Sequence, residues 1–179
     1  MLQHLITQDG DLRMAPTDRD ALVAEVARLR EELDAASDPD RVRALTRWIG
    51  VGLLALGQHG EARVFLRRSL ELAAAARRTK AEVATGLNLG DAHRYAGDAE
   101  AAEACYRSAL ATARDGCPEL LDFALQHFGK HLMERGDLTG ARTHLREARR
   151  LRIAKGDAEL LGSTQAALDR VDSLIAAAP

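Results

Sequence analysis

The sequence predicts an all-α fold in which antiparallel helix hairpins stack side by side into a solenoid. Three observations lead to this prediction. Alanine, leucine, arginine and glutamate favour helices and are abundant, whereas aromatic residues make up only 3% of the chain. Short breaks containing glycine and aspartate separate stretches of about four helical turns. A pattern of small and large residues then recurs every 39 to 40 residues.

Composition excludes several classes of protein. The 179 residues carry a formal net charge of −2, which argues against a surface built for nucleic acid. The apolar runs are shorter than the roughly 18 residues of a membrane span, and the first residues lack the features of a signal peptide. Two cysteines are too few for a disulfide framework or a multi-cysteine metal site. We therefore expect a cytoplasmic protein without a nucleic-acid or membrane partner.

The elements follow one another in a regular order. Residues 1–15 show no period and are expected to form a flexible N-terminal arm. A flanking helix is predicted within 16–37, with Thr17 as its N-cap and one apolar stripe. Residues 38–155 are predicted to form three hairpins, at about 39–78, 79–116 and 118–155, and 156–179 to form a capping helix. The predicted helices after the first are 39–56, 60–77, 79–96, 99–114, 118–135, 139–154 and 157–176.

The breaks between helices share a common composition. Each of five breaks offers a glycine where the end of a helix favours a left-handed residue: Gly57, Gly97, Gly116, Gly136 and Gly156. Three of these glycines are followed directly by an aspartate that can cap the next helix, namely Asp98, Asp137 and Asp157. Turns this short force neighbouring helices into antiparallel hairpins.

Self-comparison reveals five positions that recur in three copies. They are Gly50, Gly90 and Gly129; Gly57, Gly97 and Gly136; Ala62, Ala102 and Ala141; Leu66, Tyr106 and Leu145; and Ser69, Ala109 and Ala148. Glycine inside a helix costs about 1 kcal/mol relative to alanine, so its recurrence needs a packing reason. Small residues let the two helices of a hairpin approach closely, and a larger residue fills the groove beside them. Stacked hairpins then share one continuous core.

These residues resemble the tetratricopeptide repeat. The resemblance is closest at 86–110, through Leu89-Gly90, Gly97, Ala102, Tyr106 and Ala109, and it extends to the copies at 46–70 and 125–148. The usual tryptophan of the first helix and the proline after the second are missing, and the period of 39–40 exceeds the common 34, as in long-period variants. The resemblance implies a right-handed solenoid that binds a protein or peptide in its concave groove, without catalysis or a cofactor.

Carried over by register, the resemblance implies a set of groove residues on the first helix of each hairpin. They are Arg47, Val51, Asn88, Asp91, Arg94, Tyr95, Phe123, Gln126, His127, Lys130 and Glu134. Asn88 stands in an Asn-Leu-Gly triplet whose amide, in this family, often binds the backbone of a ligand. An amide suits that role because it donates and accepts hydrogen bonds at once. A chaperone-tail clamp is disfavoured because Val51, Phe123 and His127 replace most of its charged residues.

Alternatives remain open at this stage. The chain is also compatible with a homodimeric regulatory or assembly module that pairs through helix 18–36 or a terminal hairpin, or with an accessory component that presents a peptide to a separate enzyme. His127, His131 and Glu134 have a spacing that can bind zinc, but packing or surface roles are the more common use of such histidines. The basic run Arg142, Arg146, Arg149, Arg150, Arg152 and Lys155 is interpreted as a solvated face.

Overall fold

A computed structural model describes residues 2–177 and shows an all-α solenoid, as predicted. The last two residues of the expected capping helix and the first residue of the expected arm lie outside the described residues. Within these residues, the eight α-helices are α1 (Arg19–Ala35), α2 (Pro39–Ala55), α3 (His59–Ala75), α4 (Thr79–Tyr95), α5 (Ala99–Gly116), α6 (Leu121–Glu134), α7 (Leu138–Lys155) and α8 (Ala158–Ala177). Within the described chain, no helix is long and apolar enough to cross a membrane.

The recurring positions make the helix crossings that the sequence predicts. Helices α2 and α3, α4 and α5, and α6 and α7 pair as hairpins, and each hairpin packs against the next. The three recurring alanines and the three larger residues four positions later are all fully buried. A Cβ atom added to Gly90 would lie 2.5 Å from Cε1 of Tyr106, and one added to Gly50 would lie 2.6 Å from Cγ of Leu66. The glycines are therefore required by close contact between paired helices.

The turns follow the expected glycine-aspartate chemistry, with three exceptions. Left-handed backbone occurs at four of the five predicted glycines: Gly57, Gly97, Gly136 and Gly156. Gly116 instead ends α5 without a positive φ, because the chain continues into a short 3₁₀ turn at Pro118–Leu120. Between α3 and α4, the left-handed position is held by Arg77, with φ of 51°. The N-cap of α1 is Asp18, whose carboxylate accepts from the backbone N–H of Ala21, and not Thr17.

The core runs the length of the solenoid in two joined clusters. One cluster lies between α1, α2 and α3, and it reaches α4 through Leu89 and Ala92. The other lies between the later helices and includes the opposite side of α4, at Val83 and Leu87. Helix α4 is thus apolar on more than one side, and it connects the two halves of the molecule.

The N-terminal segment is ordered, which differs from the flexible arm that the sequence suggested. After a 3₁₀ turn at Leu2–Leu5, strands β1 (Ile6–Gln8) and β2 (Met14–Pro16) form an antiparallel hairpin. Leu2 is 1% exposed and packs in the cluster of α1 and α2. This segment is too short to show a helical period, and its order comes from docking on the helices rather than from its own propensity.

Candidate functional site

The first helices of the three hairpins, α2, α4 and α6, lie next to each other and line the concave face. Nine of the eleven predicted groove residues line one cavity of about 630 Å³ on this face. They are Arg47, Val51, Asn88, Asp91, Arg94, Tyr95, Phe123, His127 and Lys130. Gln126 and Glu134 do not line it. Gln126 is buried between α6 and α8, and Glu134 borders a smaller recess beside the tip of the β-hairpin.

The β-hairpin forms a wall of this cavity that sequence reasoning missed. The backbone N–H of Met14 donates to Oη of Tyr95 at 3.0 Å, and Nζ of Lys130 donates to the carbonyl of Leu12 at 3.4 Å. Arg13 forms an ion pair with Glu134 at 3.1 Å. An Asp-Gly pair, at 9–10, was the available signal, because this dipeptide favours hairpin turns.

A buried charge cluster holds the middle of the groove together. Asp91 is 1% exposed and accepts from Oη of Tyr106 at 2.6 Å and from Arg94 at 3.2 Å. Nδ1 of His127 lies 2.9 Å from its other oxygen. Burial alone would raise the pKa of Asp91, but the charges of His127 and Arg94 and the hydrogen bonds hold that pKa below its ordinary value. Asp91 therefore ties α4 to α5 and α6.

The three basic groups of the cavity differ in their pairing. Arg94 lies between Asp91 and Glu134, with a distance of 3.2 Å to each carboxylate. Lys130 is buried, and burial together with repulsion from Arg94 lowers its pKa to about 8. Arg47 donates from Nε to Oδ1 of Asn88 at 3.2 Å, and among the described residues it forms no ion pair. Burial, and then the charge of Arg43, lower the pKa of Arg47 to about 10. Arg47 is thus the basic group of the cavity best able to meet an acidic group from outside.

The basic run on α7 is not uniformly solvated, which corrects the interpretation of that helix. Arg152 is 1% exposed, and its Nε donates to the fully buried carboxylate of Asp122 at 2.8 Å. Its Nη1 also donates to Thr164 at 2.6 Å and to the side chain of Gln126. The contact arises because α8 packs over α7 and α6, a placement that helical periodicity alone does not reveal. Arg152 and Gln126 therefore join three helices and are unavailable to a ligand.

The two histidines at helical spacing do not converge on a metal position. His131 is buried, and its ring centroid lies 5.4 Å from that of Tyr106. His127 faces Asp91 instead, and Glu134 is paired with arginines. In the part of the chain that the structure describes, no group of three potential ligands is arranged for a metal ion.

The family assignment agrees with this architecture. Residues 40–115, which contain the first two hairpins, match the family described as tetratricopeptide repeat. This part of the chain therefore consists of tetratricopeptide repeats. In sequence, no curated protein matches it. The third hairpin lies outside the matched range but has the same contact, since a Cβ added to Gly129 would lie 2.8 Å from Cγ of Leu145.

A solved structure supports the fold. The crystal structure of BtubC (BKLC) from P. vanneervenii is similar to the chain, with a TM-score of 0.65 and 17% sequence identity. The similarity covers 88% of this chain and 74% of that one. Tetratricopeptide repeats generally mediate protein–protein interactions, and proteins of the family are typically non-catalytic scaffolds.

Proposed function

We propose that the chain is a non-catalytic scaffold that binds a peptide segment of a partner protein in the cavity of its concave face. The observation that carries the proposal is the convergence of the predicted groove residues on that one cavity. Its volume of about 630 Å³ falls within the usual range of ligand pockets, and its walls combine apolar and polar side chains in about equal number.

The accessible part of the groove is narrower than the resemblance implies. The hairpin and the buried charge cluster occupy the end formed by Tyr95, Lys130 and Glu134. The same cavity is also lined by Arg47, Asn88 and Phe123 on the helices, and by the three residues of β1. We therefore place peptide binding in this half of the groove, and assign Asp91, Arg94 and Lys130 to structural roles.

A bulky substitution on the cavity wall tests the proposal. Ala84 lines the cavity and is partly buried, so Ala84→Arg would fill the space without deleting an existing contact. Ala104→Arg is the matched control, because Ala104 is exposed on α5, a second helix of its hairpin. The probe is a displayed library of random twelve-residue peptides selected on the full chain, with binding of the synthesised peptides measured by fluorescence anisotropy.

We expect selected peptides to lose at least tenfold in affinity with Ala84→Arg and to stay within twofold with Ala104→Arg. Equal effects of the two variants would place peptide binding outside the cavity. Failure to select any peptide that binds the full chain would count against a peptide-binding function altogether.

A further inference from the structure

The hairpin in the groove has one edge in use and one edge free. The outer edge of β2 faces α4, because the backbone N–H of Met14 points away from β1 and donates to Oη of Tyr95 at 3.0 Å. The outer edge of β1 lies on the other side of the hairpin. Strand edges without a partner are templates for pairing with another extended chain.

The hydrogen-bond alternation of an antiparallel pair tells which backbone groups of β1 face outward. Thr17 donates to the carbonyl of Leu5, and Asp9 donates to that of Arg13, both at 2.9 Å. Hydrogen-bonded pairs alternate with pairs whose backbone groups point away from each other. Thr7 and Ala15 therefore form the hydrogen-bonded pair between those two contacts.

The intervening residues of β1, Ile6 and Gln8, consequently direct their N–H and C=O groups away from β2. Their partners across the strands are Pro16 and Met14. Pro16 has no N–H to donate, and the N–H of Met14 donates to Oη of Tyr95. Neither residue therefore donates to β1, as expected of positions whose backbone groups face outward. Within residues 2–177, no side-chain or loop hydrogen bond reaches the C=O of Ile6 or the backbone of Gln8, whereas the N–H of Ile6 closes the last turn of the 3₁₀ helix Leu2–Leu5 by donating to the carbonyl of Gln3.

The free edge of β1 borders the cavity. Three consecutive residues, Ile6, Thr7 and Gln8, line it, although side chains of a strand alternate between two faces. Because Thr7 lines the cavity as well as Ile6 and Gln8, the cavity reaches β1 beyond the single face that Ile6 and Gln8 share. Asn88 and Phe123 stand on the helical wall of the same cavity.

We propose that the chain binds its partner by β-augmentation, in which an extended peptide segment adds to the outer edge of β1 as a third strand. The peptide backbone would pair with the outward C=O of Ile6 and with the outward N–H and C=O of Gln8. Its side chains would contact the helical wall, where Arg47, without an ion pair among the described residues, favours an acidic side chain. The proposal rests on the proposed function, and it names the binding mode and the shape of the ligand.

A proline substitution tests the strand pairing with a matched control. Gln8→Pro removes an outward N–H and spares the ladder with β2, because this N–H does not pair with Met14. Gln8→Ala removes the same side chain, including its 3.4 Å contact with Ser163, and keeps the N–H. The probes are the selected peptides whose binding is weakened by Ala84→Arg. We expect Gln8→Pro to weaken their binding about five- to tenfold relative to Gln8→Ala.

Amide exchange measured by NMR is the second readout. In the free chain, the amide of Thr7 should exchange slowly, and that of Gln8 should exchange fast. A bound peptide should slow exchange at Gln8 at least tenfold. Retained protection of Thr7 in Gln8→Pro shows that the hairpin is intact in the variant.

Each outcome separates the two proposals. If the peptides bind Gln8→Pro as tightly as Gln8→Ala, and the amide of Gln8 in the wild type stays unprotected, β-augmentation is wrong and the cavity still binds peptides. If Ala84→Arg weakens none of the selected peptides, or no peptide is selected, the proposed function is wrong and β-augmentation with it.

Discussion

Substituting Gly90 by alanine tests whether close helix contact is the reason for the recurring glycines. The added Cβ would lie 2.5, 2.8 and 2.9 Å from Cε1, Cδ1 and Cζ of Tyr106. These distances are shorter than any real carbon contact, so the ring or the helix must move. The ring is poorly able to move, because it is fully buried and its hydroxyl donates to Asp91 at 2.6 Å.

The expected free-energy change combines three effects. Alanine inside a helix is favoured over glycine by about 1 kcal/mol. Overpacking a filled core costs about 1–3 kcal/mol, and loss of a hydrogen bond to a carboxylate costs about 1.5–3 kcal/mol. Because the two costs exceed the gain, we expect Gly90→Ala to lower the free energy of unfolding by about 2 kcal/mol. For a chain of this size, that corresponds to a fall in Tm of about 4–8 °C.

Gly86→Ala is the matched control on the same helix. A Cβ at Gly86 would lie 3.5 Å from Cβ of Ala109, which is an ordinary contact. The variant should therefore gain the helix preference without overpacking, and be up to about 1 kcal/mol more stable than the wild type. Urea unfolding followed by far-UV circular dichroism measures both variants. If Gly90→Ala is as stable as Gly86→Ala, contact with Tyr106 does not explain the glycine.

Three further predictions concern buried polar groups. Arg152→Met should destabilise the chain by about 3 kcal/mol in urea unfolding, because it deprives the buried carboxylate of Asp122 of its closest guanidinium partner; an unchanged midpoint would contradict this. Lys130 has a pKa lowered from 10.5 to about 8, so between these values the unfolded chain binds more protons and stability rises with pH. From pH 7.5 to 9.5, the free energy of unfolding of the wild type should rise by about 2 kcal/mol relative to that of Lys130→Met. A constant difference between the two proteins would refute the lowered pKa of Lys130. Tyr95→Phe removes the acceptor of the Met14 amide, whose exchange measured by NMR should accelerate at least fivefold; equal exchange in both proteins would mean that this hydrogen bond does not hold the hairpin.

The repeat could be predicted from sequence because it is specified by local and periodic signals. Glycine at a helix end, aspartate at the next helix start and an apolar stripe each act within a few residues of chain. Three copies of the pattern at Gly50, Gly90 and Gly129 added the evidence of recurrence. The structure accordingly has the predicted helices, with ends that differ by a few residues.

The candidate site could be predicted only in part. Nine of the groove residues predicted from register along α2, α4 and α6 line one cavity. It could not separate residues that face open space from those that pair inside the groove, such as Asp91 and Arg94, because that depends on neighbouring helices and on the hairpin. Arg152 was interpreted as solvated for the same reason, since the residues that bury it come from α6 and α8.

The sequence by itself determined the helices and their antiparallel pairing, because those depend on periodicity and on turns of a few residues. Only the tertiary structure decided that residues 2–16 fold as a β-hairpin in the groove and leave one strand edge beside the cavity. A three-residue strand has too little propensity of its own to be stable. Its order comes from contacts with Tyr95, Lys130 and Glu134, which are about 80 to 120 residues away in the chain.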